Sequence, residues 1–230
     1  MPTAKRNGPA PGVFFADSAA SGTDEEGNYR IAEEEAWRRL VAVDWPAQLA
    51  RCGARRAGAL VELDFFHLVA RVDLGARRIE FAGSGTEMPI WERILVLHYL
   101  AATTPLPPPG ELIDFKQVPA GGFYFNAYRA RTGVPLADAF GAEPGLLLEA
   151  GRSLGGEAAD FGDAAVRLWP LPRVPVVVLV YGADEEFPAT GNLLYEPSVT
   201  AYLCTEDIAV LGGQVVGRLV GQVRRREGER

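Results

Sequence analysis

One apolar run constrains this fold more than any other feature. Val174–Tyr181 is the longest such run in the chain, with Pro175 inside it. A short, almost continuously apolar stretch is typical of a strand that is covered on both faces. It is far below the roughly 20 apolar residues that a membrane-spanning helix needs. We therefore predict a central buried strand here and no transmembrane segment.

The rest of the chain alternates between the helix period and the strand period. We predict an α+β fold, with a mixed or antiparallel sheet covered by helices. Strands are expected within 59–81 (two or three of them) and at 112–118, 164–169, 174–181 and 193–195. Helices are expected from near residue 29, then at 44–53, 89–102, 134–140, 144–154, from 197 and at 205–224, and a Gly-Gly turn is expected to lead into the aromatic segment 123–128.

The N-terminal segment differs in composition from the remainder. Residues 1–28 are rich in Ala, Pro, Gly and Ser, and they cannot bury enough apolar surface to offset their ordering entropy. We expect a disordered tail over 1–28 and a single α+β domain over 29–226. The chain has 230 residues, of which 48% are hydrophobic, and a chain of this size buries roughly 70% of its unfolded surface. The domain should therefore fold without disulfides or metals.

Charge and cysteine content restrict the partners and the compartment. The net charge is −7, which argues against nucleic acid because a nucleic-acid-binding face needs a basic patch. Two cysteines, Cys52 and Cys204, are too few for a disulfide framework. No apolar stretch of the kind found in signal peptides follows Lys5 and Arg6. We expect a soluble cytoplasmic protein that binds neither nucleic acid nor membrane.

Two short motifs match catalytic signatures without their context. Residues 151–155 read Gly-Arg-Ser-Leu-Gly, but a helical pattern precedes Ser153 and both histidines lie upstream, contrary to the hydrolase order. We interpret this segment as a helix C-terminus closed by glycines. Residues 160–162 read Asp-Phe-Gly with no kinase phosphate loop, so we interpret them as a turn before a strand.

The histidines and cysteines lack the spacing of a zinc site. Neither His67 nor His98 has a cysteine or second histidine three or four residues away. We expect each histidine to be packed or hydrogen-bonded in a structural role. Cys52 and Cys204 are expected to be small buried hydrophobic residues.

An acidic segment directly follows the apolar run. Asp184, Glu185 and Glu186 follow the carboxyl end of the predicted central strand. In an open α/β sheet, ligands bind at the carboxyl ends of such strands. Glu196 and Asp207 follow within a short distance. Converging carboxylates would bind a divalent cation such as Mg²⁺, Ca²⁺ or Mn²⁺. The alternative interpretation is that the acids are solvated, or stabilise a helix N-terminus.

Several segments, taken in order, carry a family resemblance. They are ILVLHYL at 94–100, FKQVPAGG at 115–122, LPRVPVVVLVYGADEEFPA at 171–189 and YLCTED at 202–207. Over about 32–220 the chain resembles the bacterial and archaeal domain-of-unknown-function family 3786. The resemblance implies no activity and no site residues.

Two functions from different classes remain after these exclusions. The first is a non-catalytic module that binds a small ligand or a protein partner. It leads because the sequence has no positioned nucleophile, no base with an orienting partner and no cofactor motif. The alternative is a metal-assisted enzyme that uses the acidic loop.

Overall fold

The computed structural model describes residues 25–228, with side chains over 27–225. Helices occupy α1 (Glu25–Leu40), α2 (Trp45–Cys52), α3 (Ile90–Leu100), α4 (Gly121–Arg131), α5 (Gly133–Phe140), α6 (Gly145–Ser153) and α7 (Thr205–Gly228). Strands occupy β1 (Arg55–Ala57), β2 (Leu60–Phe65), β3 (Leu68–Asp73), β4 (Arg78–Phe81), β5 (Ile113–Asp114), β6 (Glu157–Ala159), β7 (Ala164–Leu171), β8 (Val174–Tyr181) and β9 (Thr190–Tyr195). Short 3₁₀ turns lie at Phe115–Gln117 and Pro197–Ala201.

The strands form two antiparallel sheets, one of four strands in the order β1-β2-β3-β4 and one of five in the order β5-β9-β8-β7-β6. The α+β class and the antiparallel pairing are confirmed. The division into two sheets was not predicted. The Phe66 N–H in the β2–β3 turn donates to Pro170 O of β7 at 2.8 Å, which ties the sheets together.

The strand β8 is the centre of the five-stranded sheet, as its composition predicts. Because side chains alternate along a strand, its valines divide between two faces. Val176, Val178 and Val180 join the main core, which also contains side chains of the four-stranded sheet and of the helices. Val177 and Leu179 lie on the opposite face with Ala165. The sheet is therefore apolar on both sides.

A buried ion pair joins α3 to α7. Arg218 Nη2 lies 2.5 Å from Glu92 Oε1, and the Glu92 side chain is only 6% exposed. The Arg218 guanidinium also lies 3.9 Å from the ring centroid of Phe66, a non-glycine residue with φ of 54°. A left-handed conformation is unfavourable for such a bulky residue. The hydrogen bond to Pro170 and this cation–π contact hold Phe66 in it.

Some boundaries differ from the sequence predictions. The Gly-Gly turn and aromatic segment proved to be the helix α4, and the strand predicted at 112–118 is only β5 followed by a 3₁₀ turn. The helix α1 begins at Glu25, so residues 25–28 are helical rather than part of a tail. Residues 1–24 of the predicted disordered tail lie outside the described residues. The limits of the domain stay a prediction.

The two catalytic-looking motifs have the structural roles expected of them. Ser153 is the last residue of α6, and its hydroxyl donates to Ala150 O at 2.7 Å. Gly155 follows with φ of 76°, which closes the helix. The Asp-Phe-Gly triplet is a bend before β7, with Gly162 at φ of 54°.

Over residues 25–228, none of the helices combines the length and the apolar character that crossing a membrane requires.

Candidate functional site

The acidic loop is an exposed turn that is organised by one of its own carboxylates. Asp184 Oδ1 accepts the backbone N–H of Glu186 at 2.8 Å and that of Phe187 at 2.7 Å. The Asp184 N–H in turn donates to Phe187 O. Asp184, Glu185 and Glu186 are all exposed. The Asp184 carboxylate therefore stabilises the turn.

The strand register separates the loop from Glu196. Tyr181 pairs with Thr190 and Val176 pairs with Tyr195, so the loop leaves β8 at one end of the sheet while Glu196 follows β9 at the other. The five residue steps from Val176 to Tyr181 correspond to roughly 16 Å. The rule that places ligands at strand carboxyl ends concerns parallel sheets, and this sheet is antiparallel. Glu196 itself is exposed and makes no capping hydrogen bond.

Asp207 is the one predicted site residue that is buried, and it contacts His98. Both carboxylate oxygens of Asp207 lie 2.9 Å from His98 Nδ1. His98 precedes Tyr99, whose hydroxyl accepts the N–H of Arg173 in the β7–β8 turn. Asp207 therefore lies towards the end of the sheet opposite the acidic loop. His98 is hydrogen-bonded as predicted. His67 is exposed in the β2–β3 turn and has no hydrogen bond among the described residues, so the prediction that it is packed or hydrogen-bonded is wrong.

Asp207 also binds Cys204, just before α7. The Cys204 thiol donates to Asp207 Oδ2 at 3.1 Å, and the Cys204 backbone N–H donates to the same oxygen at 3.3 Å. Desolvation and the Asp207 charge raise the pKa of the Cys204 thiol to about 12. Since the thiolate is the nucleophile, this raised pKa disfavours nucleophilic chemistry at Cys204 near neutral pH. Cys204 is exposed, so the prediction that it is buried is wrong, whereas Cys52 is buried as predicted.

The metal hypothesis for the acidic loop has a direct test. No group of three or more His, Cys, Asp or Glu side chains in the described part of the chain is arranged to hold a metal ion. Because Asp184 already accepts two backbone N–H groups, we expect Mg²⁺, Mn²⁺ and Ca²⁺ to leave the melting temperature unchanged in a thermal-shift titration. An increase that disappears in Asp184→Asn with Glu186→Gln would instead establish the loop as a metal site.

A cleft on the second face of the five-stranded sheet is the better candidate site. It has a volume of about 370 Å³, within the usual range for small-molecule sites. Its floor consists of side chains from β8 and β9 that share one face because their residues are cross-strand pairs: Tyr181 with Thr190, and Leu179 with Asn192. Leu194 extends this floor. The alternation along two antiparallel strands thus creates the surface.

The walls of the cleft come from α4 and from the loop before β7. Phe125 and Arg129 line it from α4, and Phe161 lines it from the loop. Phe161 is 38% exposed and Tyr181 is 52% exposed, so both rings are open to solvent. Exposed aromatic rings therefore line a cleft whose floor contains both apolar and polar side chains.

Two glycines fix the position of α4. A Cβ at Gly121 would lie 1.8 Å from Phe115 O, so only glycine allows the helix to begin this close to the preceding 3₁₀ turn. At the other end, a Cβ at Gly133 would lie 2.6 Å from Gly191 O of β9. Both ends of the α4 wall are thus packed directly against neighbouring backbone.

A buried tyrosine pair anchors the same helix. The Tyr128 ring stacks on Phe115 with centroids 3.8 Å apart, and its hydroxyl lies 2.7 Å from that of Tyr195. Burial raises the pKa of both hydroxyls, so both stay protonated. A Cβ at Gly212 of α7 would lie 2.8 Å from the Tyr195 hydroxyl oxygen. Glycine at that position leaves room for the pair.

Two polar groups at the cleft have no partner among the described residues. The Asn192 Oδ1 accepts the Leu193 N–H at 2.9 Å, which leaves the amide N–H groups unpaired. The guanidinium of Arg129, an exposed residue, forms neither an ion pair nor a hydrogen bond with the residues that the structure describes. Both are donors, and both residues line the cleft.

The sequence analysis missed the cleft residues. The one available signal was the density of aromatic residues at 123–128, which was interpreted as a segment after a turn rather than as a helix. Phe161 was noticed only as part of the Asp-Phe-Gly triplet. Nothing in the spacing of Phe125, Phe161 and Tyr181 indicates that they meet, because they belong to three separate elements.

Comparison with known proteins gives one match. The profile of a family described as a domain of unknown function (DUF3786) matches residues 44–218. No curated protein and no solved structure matches the chain.

Proposed function

We propose that this chain, which belongs to the family of the domain of unknown function DUF3786, is a non-catalytic module that binds a small molecule. The ligand occupies the cleft between α4 and the β8–β9 face, and its body is planar and apolar. The observation that carries this proposal is the lining of the cleft, in which four aromatic residues accompany Leu179 and Leu194. Such rings favour stacked or edge-on contacts with another ring.

The environments of two candidate nucleophiles, Cys204 and Ser153, favour a role without catalysis. The Cys204 thiol donates to Asp207, and its raised pKa keeps it protonated. The Ser153 hydroxyl donates to a carbonyl at the end of α6, with no histidine beside it in the hydrogen bonding of the described residues. A nucleophile needs an adjacent base or a lowered pKa. Ser153 has no such base among the described residues, and Cys204, although it lies beside the Asp207 carboxylate, has a raised pKa rather than a lowered one.

The proposal is tested with N-phenyl-1-naphthylamine, a neutral planar fluorophore. We expect it to bind the wild-type protein with increased fluorescence. Thr190→Trp should reduce its affinity at least about tenfold, because the indole fills a cleft of this size. Thr190 is exposed and opposite Tyr181, so the fold should tolerate the change.

The matched control is Thr103→Trp, in the exposed connector after α3. This variant adds the same indole to the surface outside the cleft, and it should bind the fluorophore like the wild type. Equal binding by Thr190→Trp and wild type, or no binding at all, would contradict the proposal. Circular dichroism melting of all three proteins shows whether the comparison is between equally folded chains.

A further inference from the structure

We infer that the ligand of the cleft carries an anionic group, a carboxylate, sulfonate or phosphate, and that Arg129 binds it. This inference rests on the proposed function, and it adds the charge of the ligand and the residue that recognises that charge. The supporting observation is that Arg129 lines the cleft and that its guanidinium has no partner among the described residues. Arginine binds planar anions with two parallel N–H donors.

The Arg129 side chain is exposed, and its stem passes beside Gly133. A Cβ at Gly133 would lie 3.5 Å from Arg129 Cγ, so the stem runs beside the Gly133 backbone, which itself lines the cleft. The absence of a side chain at Gly133 leaves that path open.

A second cation lies on the same wall. Lys116 Nζ is 4.1 Å from the ring centroid of Phe125, which lines the cleft one helical turn before Arg129. The residues that line the cleft in the described part of the chain include no aspartate or glutamate. In a chain with a net charge of −7, a cleft with an arginine and no lining acid is a local exception.

The exposed acidic loop joins the lining residues Tyr181 and Thr190 and forms no ion pair with Arg129, and two further carboxylates near the cleft accept backbone N–H groups. Asp114 acts electrostatically on the Tyr128 hydroxyl, but its Oδ1 accepts the Lys116 N–H at 2.9 Å and so caps the 3₁₀ turn. Asp163 Oδ2 accepts the Gly182 N–H at 2.7 Å, next to Tyr181. Neither forms an ion pair with Arg129. The guanidinium therefore stays available to an anion that enters from solvent.

A competing explanation is that Arg129 only stabilises the end of α4. It lies in the last turn of the helix, where positive charge is favourable. Arg131 shares that turn but does not line the cleft. Arg131 therefore serves as a control. A helix-stabilising role predicts the same effect for both arginines, whereas a ligand-binding role predicts an effect for Arg129 alone.

The experiment uses two fluorophores with the same planar body. 1-Anilinonaphthalene-8-sulfonate is anionic, and N-phenyl-1-naphthylamine is neutral. Arg129→Gln should weaken sulfonate binding about tenfold, since a hydrogen bond to a charged group is lost, and should change neutral binding less than about twofold. Arg131→Gln should bind both like the wild type. The wild-type preference for the sulfonate should also fall as ionic strength rises.

The outcomes separate this inference from the proposed function. If Thr190→Trp blocks both fluorophores but Arg129→Gln weakens neither, the cleft binds small molecules and the assignment of an anionic group to Arg129 is wrong. If Arg129→Gln and Arg131→Gln weaken the sulfonate equally, its binding depends on general surface charge, which also overturns the inference. If neither fluorophore is blocked by Thr190→Trp, the proposed function itself fails.

Discussion

Val178→Asp should abolish the accumulation of folded protein. Val178 is fully buried in β8, the central strand of the five-stranded sheet. The new carboxylate would lie among aliphatic side chains, with a cost of several kcal/mol, comparable to the whole stability of an ordinary domain. The measurement is the soluble fraction after expression, followed by circular dichroism of whatever protein is recovered.

The matched control places the same aspartate at the exposed end of the same strand. Tyr181→Asp should change the free energy of unfolding by no more than about 1 kcal/mol, because Tyr181 is half exposed. A Val178→Asp protein that melts like the wild type would show that β8 is at an edge of the sheet in solution. That result would contradict the strand order on which the cleft depends.

The protein should lose stability steeply above about pH 8.5. Burial raises the pKa of Cys52 to about 11, and it also raises the pKa of Tyr99, Tyr128 and Tyr195. The pKa of the Cys204 thiol is raised to about 12. A raised pKa means that the folded state retains a proton that the unfolded chain releases. The stabilisation is therefore complete below the unfolded pKa, about 8.5 for cysteine and 10 for tyrosine, and is lost as pH rises towards the folded values.

We expect the melting temperature to fall by more than about 10 °C between pH 8 and pH 11. Tyrosinate absorbance from the buried hydroxyls should increase together with the loss of circular dichroism, since these groups ionise only on unfolding. Cys204→Ser removes one contributing thiol and should make the fall smaller. A melting temperature that is constant over this interval would show that the Cys52 thiol and the buried tyrosine hydroxyls are not desolvated in the folded protein.

The elements that the sequence predicted well are those with local signals. The helix α2 has Pro46 in its first turn and Gly53 in a left-handed conformation at its end, and both boundaries were predicted from these residues. The strand β8 was predicted with its observed bounds because five of its residues are valine and all but its last residue are partly or fully buried. Local backbone chemistry and continuous apolar character suffice for such elements.

The helix α4 was missed because its sequence lacks the usual helix pattern. Phe123 is 93% exposed and Tyr124 is 55% exposed, so its aromatic residues do not mark a buried face. Its first two residues are glycines, which are required by packing at Gly121 rather than by a turn. Only the tertiary contact with Phe115 explains the glycine, and that contact is not visible in the sequence.

The candidate site was beyond sequence reasoning for a related reason. Asp207 was predicted to converge with the acidic loop, but its partner is His98 on another helix. Which carboxylates meet is decided by the register of β8 and β9, and which aromatic rings meet is decided by where α4 packs. Both are long-range properties, so neither has a characteristic spacing along the chain.

The shortness of the two-residue strand β5 affects how easily the cleft opens. It joins the sheet through only two pairs, Ile113 with Tyr195 and Asp114 with Leu194, whereas β7, β8 and β9 form a continuous meander of neighbours in sequence. Contacts that close long loops form late and open first. Because α4 follows β5 through a single 3₁₀ turn, amide hydrogens in β5 and α4 should exchange with solvent faster than those in β8. A molecule bound between α4 and the sheet would slow that exchange. Ligand binding in the cleft and pairing of β5 at the sheet edge would therefore be thermodynamically coupled.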